Sequence, residues 1–193
     1  MNAELRKQLL DLIEEDEQVR NELAADGSLF QGYHPCMEAM HRKNTARLRS
    51  IIEEYGWPGF DLVDKDGEEA AWRIVQHSIG EPDFMRNGLI LLKAAVENHQ
   101  APSWQIAYLE DRIRMFEGKL QLYGTSFDWD EQGQMSPYPA IENLEQLNDR
   151  RTKMGLPPLQ KTAHIPPDEK PPADLKERRK QMDEWARSVG WRD

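Results

Sequence analysis

Asp16, Arg20, His41, Asn44, His77, Asp111 and Arg112 are the residues of this chain whose types and positions point to chemistry. Each falls on or beside an apolar helical stripe, where a hydrophobic side chain is the ordinary occupant. With about 100° of turn per residue, Asp16 lies within the stripe Leu5–Leu9–Leu12–Val19, and Arg20 at its edge. His41 and Asn44 share a face with Met37, Leu48 and Tyr55. His77 lies with Ala70 and Ile74, away from the main stripe of Trp72, Val75 and Ile79. Asp111 joins a second apolar face formed by Trp104, Tyr108 and Met115, and Arg112 sits between that face and the face of Ile106, Leu109, Ile113, Phe116 and Leu120. Burying a polar group without a partner costs roughly 2–7 kcal/mol. These side chains therefore need one another, or a ligand. The plain alternative is a set of hydrogen-bonded core polars and interhelix ion pairs.

As a site, the set reads as follows. His77 is the acid–base group, because the ordinary imidazole pKa of about 6.5 lies near neutrality. Asp111 orients it or acts as a base. Arg20 and Arg112 hold a carboxylate or phosphate, which a guanidinium fork suits. Asp16, His41 and Asn44 complete the substrate-binding surface, and Tyr123 and Thr125, expected on a strand after the fifth helix, line its mouth. The reaction class is hydrolysis or group transfer on a small anionic substrate. A metal is a variant of the same idea. Glu38 and His41 have the i, i+3 spacing of di-iron bundles, but no second Glu-x-x-His is present. A mononuclear site from His41, His77 and either Asp16 or Asp111 stays open. No metal ligand is assigned on this basis, and the cofactor is unknown. The "DKDG" of Asp64–Gly67 fails as a calcium loop, since Leu62 occupies its first ligand slot. Asp66 is expected to cap a helix instead. The sequence has no phosphate-cradling glycine loop and no nucleophile elbow.

The elements that must position these residues are mostly helical. A first stripe runs from Leu5 to Leu23 and stops near "AADG"; residues 26–36 have turn composition. A second helix carries Met37 to Tyr55 and is closed by "GWPG". Residues 60–67 read as a short strand or loop. Helices follow from about Glu68 to Ile79, from Pro82 to about His99, and from Trp104 to Gln121. Residues 123–140 read as a β-hairpin turning at "DEQG", and Ile141–Met154 as another helix. A proline-rich stretch, 157–172, reads as an extended arm. The last helix, Ala173 to about Val189 within 173–193, carries Leu175, Met182, Trp185 and Val189 and is too short to be stable alone. The fold class is mainly α: a single-domain helical bundle over 1–156 with a small β-hairpin and a proline-rich C-terminal arm ending in a helix.

Composition bounds the partners. The 193 residues are 38% hydrophobic and 31% charged, with a net charge of -10. An acidic surface repels phosphate backbones, so nucleic acid is not an expected partner. The dense basic runs are "DRRTK" (149–153) and "KERRK" (176–180), both read as solvated helix faces. The lone cysteine, Cys36, excludes an intrachain disulfide and reads as a packing residue. No apolar run suits a membrane helix and the N-terminus is not a secretory signal, so a cytoplasmic protein is expected. A second functional class remains. The acidic surface, proline-rich arm and amphipathic last helix also fit a non-catalytic interaction module of immunity or regulatory type, gripping a protein partner through 157–193.

The blocks "EEDEQVR", "NTARLRSIIEEYGWPG", "AAWRIVQH", "AYLEDR", "EGKLQLYGTSF" and "RRTKMGLPPL" resemble a bacterial family catalogued as a domain of unknown function, number 6624, over about residues 11–160. The resemblance implies a shared, mostly helical fold and no assigned activity. Its polar pattern falls on Asp16, Arg20, Asn44, His77, Asp111, Arg112, Gln121, Tyr123, Gly124 and Thr125, adding Gln121 to the candidate site. The chain departs from the pattern at Glu17, His41, Ile79 and Ser126, which suggests a shifted substrate or a lost activity.

Overall fold

The computed structural model describes residues 1–30, 32–159 and 174–193. The protein is mainly α-helical with one small antiparallel sheet. It forms two compact units, Met1–Pro102 and Ser103–Asp193.

The first unit holds α1 (Ala3–Ala25), α2 (Pro35–Tyr55), α3 (Phe60–His77) and α4 (Pro82–Glu97). Asn2 caps α1 by accepting from the Leu5 amide. His34 caps α2, with Pro35 in the first turn, where a missing N–H costs nothing. Leu5, Leu9 and Ile13 of α1, Met37, Leu48 and Ile51 of α2, and Ile74, Val75, Met85 and Leu92 of α3 and α4 make the core. Ile13 takes the core place that the sequence pattern gives to Leu12, which is half-buried. α3 is buried on nearly all sides, so its two apolar faces reflect a central position in this unit. Gly88 lets α4 approach it closely: a Cβ there would meet Val75 Cγ1 at 2.7 Å. Polar ties fix α1 against its neighbours. Asn44 Nδ2 donates to the Leu12 carbonyl (3.1 Å), Lys43 pairs with Glu15, Arg6 with Asp66, and Arg73 with Glu17.

Residues 60–67 are not a strand. They form the first turns of α3, which kinks at Asp64 (φ 61°, ψ 178°). Gln100 explains why this segment coils: its carbonyl accepts from Phe60 N, its Oε1 from Asp61 N, and its Nε2 donates to Asp61. Asp66 lies inside the helix, receiving Arg6 and its own neighbour Gly67 N, so it is not the helix cap. α3 ends at His77, short of Ile79.

The second unit holds α5 (Trp104–Phe116), β1 (Phe127–Trp129), β2 (Met135–Pro137), α6 (Leu147–Lys153) and α7 (Leu175–Ser188). α5 stops at Phe116, not Gln121, because the chain turns through Gly118 in the left-handed region (φ 71°). Leu120, expected on its apolar face, is consequently exposed. The hairpin turns where "DEQG" places it, with Asp130 Oδ1 accepting from Gln132 N and Gln134 N. It pairs Phe127 with Pro137, Asp128 with Ser136 and Trp129 with Met135. The strands are shorter than 123–140. Tyr123 and Thr125 lie in an irregular loop ahead of β1, for a reason given below. α6 is preceded by a 3-10 turn at Leu144–Gln146. The expected arm at 157–172 lies mostly outside the described residues.

α7 docks within this unit. Phe116 stacks on Trp191 (centroids 5.2 Å) and meets Trp185 edge-on (5.6 Å), and Ala186 and Trp191 are buried. Asp128 of the hairpin receives Arg178 (2.8 Å) and Arg179 (3.4 Å). Arg179 also donates to the Trp129 carbonyl and lies over the Tyr138 ring. Part of the basic run "KERRK" is thus an internal clasp rather than a solvated face.

Candidate functional site

In the first unit three helices bring Asp16, His41 and His77 together. Asp16 is four turns into α1, its side chain only 1% exposed. His41 comes from α2 and His77 from the last residue of α3. One oxygen, Asp16 Oδ2, lies 3.2 Å from His41 Nε2 and 3.2 Å from His77 Nδ1. The two imidazole centroids are 5.1 Å apart, tilted by 38°. His77 Nδ1 hydrogen-bonds to the carboxylate. His41 Nε2, though close, makes no aligned hydrogen bond, and Asp16 Oδ1 has no hydrogen-bond partner among the described residues. The exposure rises from 1% at Asp16 through 11% at His41 to 27% at His77, so the cluster opens on the His77 side.

Burial pushes the Asp16 carboxyl upward, but the contacts with His41 and His77 outweigh it and hold the group well below the usual carboxylate range. Asp16 is an anion, hydrogen-bonded to the His77 ring and facing the His41 ring at 3.2 Å. Behind His41, Tyr33 Oη lies 2.8 Å from Nδ1, and its ring stacks on the imidazole. Burial, with help from Glu38, raises the Tyr33 phenol, which stays neutral. Thr45 Oγ1 and Ser78 Oγ are 2.7 Å apart beneath the site and tie α2 to the end of α3, where each hydroxyl also donates to its own helix carbonyl or to the other.

Of the remaining first-unit candidates, Asn44 is buried, with Nδ2 on Leu12 and Oδ1 without a partner among the described residues. Arg20 is exposed on α1, one helical turn beyond Asp16 and so on the same side, and makes no ion pair among the described residues.

The second-unit candidates form a different assembly. Asp111, fully buried on α5, accepts from Leu122 N (2.7 Å), Tyr123 N (3.2 Å), Thr125 N (3.0 Å) and Thr125 Oγ1 (2.9 Å). Gln121 is equally buried, donating to the Ser126 and Pro139 carbonyls and accepting from Ser126 N. Gly124 sits between in the left-handed region (φ 63°), where a Cβ would meet Ile141 Cδ1 at 2.6 Å. Arg150 Nε and Arg151 Nη1 donate to the Leu122 and Tyr123 carbonyls. Three amides turned onto one carboxylate cannot also face a strand partner, which is why 123–125 is a loop. Tyr123 is buried, and burial pushes its phenol up to about 12. Arg112 is half-buried in α5.

A family model matches residues 3–169, and that family is described as one of unknown function, DUF6624. The chain belongs to the DUF6624 family. No curated protein and no solved structure matches it. In this DUF6624 chain the polar pattern thus falls into two groups, one around Asp16 and one around Asp111. Tyr33 is the site residue that sequence reading missed. It lies in the turn-like stretch before α2, off any periodic stripe; its one signal is an aromatic with a polar tip eight residues before a buried histidine. Thr45 and Ser78 were missed because small hydroxyls fit a core face without disturbing its pattern. Asp128 was missed because a three-residue strand gives no period to violate.

Proposed function

We propose that the Asp16–His41–His77 constellation is the working site of this protein, binding a small anionic ligand and turning it over by hydrolysis or group transfer. One observation carries the reading: two imidazoles from different helices converge on a single oxygen of a buried carboxylate, at an end that stays partly open. Packing alone does not call for this arrangement, since apolar side chains of similar volume fill such a space without the desolvation cost of a buried ion. His77 is the side chain that meets the ligand. With Nδ1 hydrogen-bonded to Asp16, its tautomer and ring plane are set, as suits a group that moves a proton. Arg20 supplies the positive charge for the anion. Asp111, Gln121, Tyr123 and Thr125 serve in this reading as scaffold for the second unit, and Arg112 has no assigned contact with ligand.

The interaction-module alternative rests on the acidic surface, the proline-rich arm and the amphipathic last helix. Phe116 engages Trp185 of that helix, and Arg178 and Arg179 reach Asp128 within the same unit, so part of the helix is already occupied.

The test is ligand-detected and protein-detected NMR with a panel of phosphates, carboxylates and nucleotides, following the ring signals of the five histidines. The expected result is a saturable shift of His77 by one class of anion. The shift should disappear in Arg20→Ala while that variant melts like the parent, and ligand-detected binding should be lost in His77→Gln. A panel that leaves His77 unmoved at millimolar concentration would refute the reading.

A further inference from the structure

We infer that Asp16, His41 and His77 form a site for one divalent first-row transition-metal ion, with an imidazole nitrogen from each histidine and a carboxylate oxygen as its protein ligands. The inference deepens the proposed function and rests on its choice of working site: it names the cofactor class of that same constellation.

Geometry is the first support. One ligand atom from each of the three residues lies within 4.8 Å of the other two. Around a tetrahedral ion with bonds of about 2.0–2.1 Å, neighbouring ligand atoms stand about 3.3–3.4 Å apart. The two oxygen-to-nitrogen edges measured here are both 3.2 Å. The remaining nitrogen–nitrogen edge is within 4.8 Å.

Unsatisfied atoms are the second support, and they are independent of the spacing. His41 Nε2 is buried beside a carboxylate oxygen without a hydrogen bond to it, and Asp16 Oδ1 is buried with no partner among the described residues. A simple hydrogen-bonded triad would align an N–H from His41 on Asp16. A lone pair on Nε2 facing that oxygen is instead satisfied by a cation between the two groups. Tyr33 fits that second arrangement. If His41 Nδ1–H donates to Tyr33 Oη at 2.8 Å, Nε2 is left as the ligand nitrogen. Metal-bound histidines usually have their other nitrogen held in this way.

The donor set selects the ion. Two imidazoles and one carboxylate suit zinc, iron, nickel or copper and are wrong for magnesium or calcium, which want an all-oxygen shell. Three protein ligands also leave a coordination position open, as in catalytic rather than structural zinc sites. The opening is on the His77 side, where the anionic ligand is expected. With the ion in place, His77 is a ligand and a bound water takes over the handling of the proton.

The experiment uses the full chain, stripped with a chelator and titrated with Co²⁺ and then Zn²⁺. Visible absorption reads the cobalt site and calorimetry the zinc affinity. One ion per chain is expected, with Zn²⁺ displacing Co²⁺. Tyr33→Phe should weaken zinc by roughly 10–100-fold, as loss of an outer-shell partner does. His41→Ala and His77→Gln should each weaken it by more than that, while His99→Ala, on an exposed residue, should not change it. Asp16→Asn should also weaken binding by more than about 100-fold, and His77→Gln keeps the test valid if that variant fails to fold. Absence of a saturable one-to-one site, or equal affinity in the His77 variant, overturns the inference. If no ion binds yet anions still act through His77, the metal is refuted and the working-site reading stands. If an ion binds through these residues and no anion moves His77, the metal stands and the ligand reading falls.

Discussion

Replacing Asp111 by asparagine should destabilise the second unit without touching the Asp16 cluster. The carboxylate is fully buried and receives four donors, three of them backbone amides of the 122–125 loop. Asparagine keeps one oxygen, enough for Leu122 N and Tyr123 N. Its amide group then faces Thr125 N, donor against donor. With the Thr125 hydroxyl turned to accept from the new amide, losing the Thr125 N bond and stranding that half-buried amide costs about 2–4 kcal/mol. For a unit the size of Ser103–Asp193 each kcal/mol moves the melting temperature by about 4–8 °C, so the fall should be about 8–32 °C. Alanine strands all three amides and should cost a large part of the roughly 5–15 kcal/mol that holds a domain together. Calorimetric melts measure the loss, and hydrogen exchange at Leu122, Tyr123 and Thr125 locates it. Arg20→Ala, at an exposed position of the first unit, should melt close to the parent. If Asp111→Asn melts within about 1 °C of the parent with those amides still protected, the scaffold account of Asp111 is wrong and a catalytic role regains its standing.

Two further outcomes follow from the packing and the charges. Asp16 has a folded-state pKa below its unfolded value of about 3.9, so its contribution to stability is complete above that value and is lost as pH falls through the folded pKa. In chelator-treated protein the stability difference between the parent and Asp16→Asn should therefore shrink on acidification below about pH 4, and a difference that stays constant would contradict the charged assignment. Trp191→Ala removes a buried ring stacked on Phe116 and should cost about 3–5 kcal/mol; because a 14-residue helix is marginal alone, amide protection over Leu175–Ser188 should collapse, and unchanged protection would show that α7 is held by other contacts.

The helices were legible because burial repeats at their period. α1, α2, α4 and α7 lie close to where spacing and caps put them, and "GWPG" and "GEPD" stop helices as proline and glycine should. Polar intrusions into those stripes were legible too, so Asp16, His41, Asn44, His77 and Asp111 were all identifiable as residues needing partners. Which partner each finds was not legible. Asp111 and Asp16 look alike in sequence, each an acid on an apolar face. One meets a loop eleven residues further on; the other meets rings 25 and 61 residues away. The segment 60–67 was misread because its helical turns depend on Gln100, a contact that no local pattern reveals.

What separates the two acids in the structure is how completely their hydrogen-bonding capacity is taken up. Asp111 has both oxygens engaged by donors that cannot leave without unmaking the loop, and Gln121 likewise has its amide engaged on both sides. Such groups hold a backbone in place and have no capacity left for a ligand. Around Asp16 the count comes out differently. Asp16 Oδ1, His41 Nε2 and Asn44 Oδ1 are all buried without hydrogen-bond partners among the described residues. Buried polar groups are nearly always satisfied in native proteins, so three such atoms on adjoining helices call for a cause. Water could serve Asn44, but a carboxylate oxygen and an imidazole nitrogen facing a second carboxylate oxygen are best satisfied together by positive charge. The polar residues set into the helical stripes are thus of two kinds, those that finish the fold and those left incomplete by it. The incomplete ones are where a cation or a substrate has something to add.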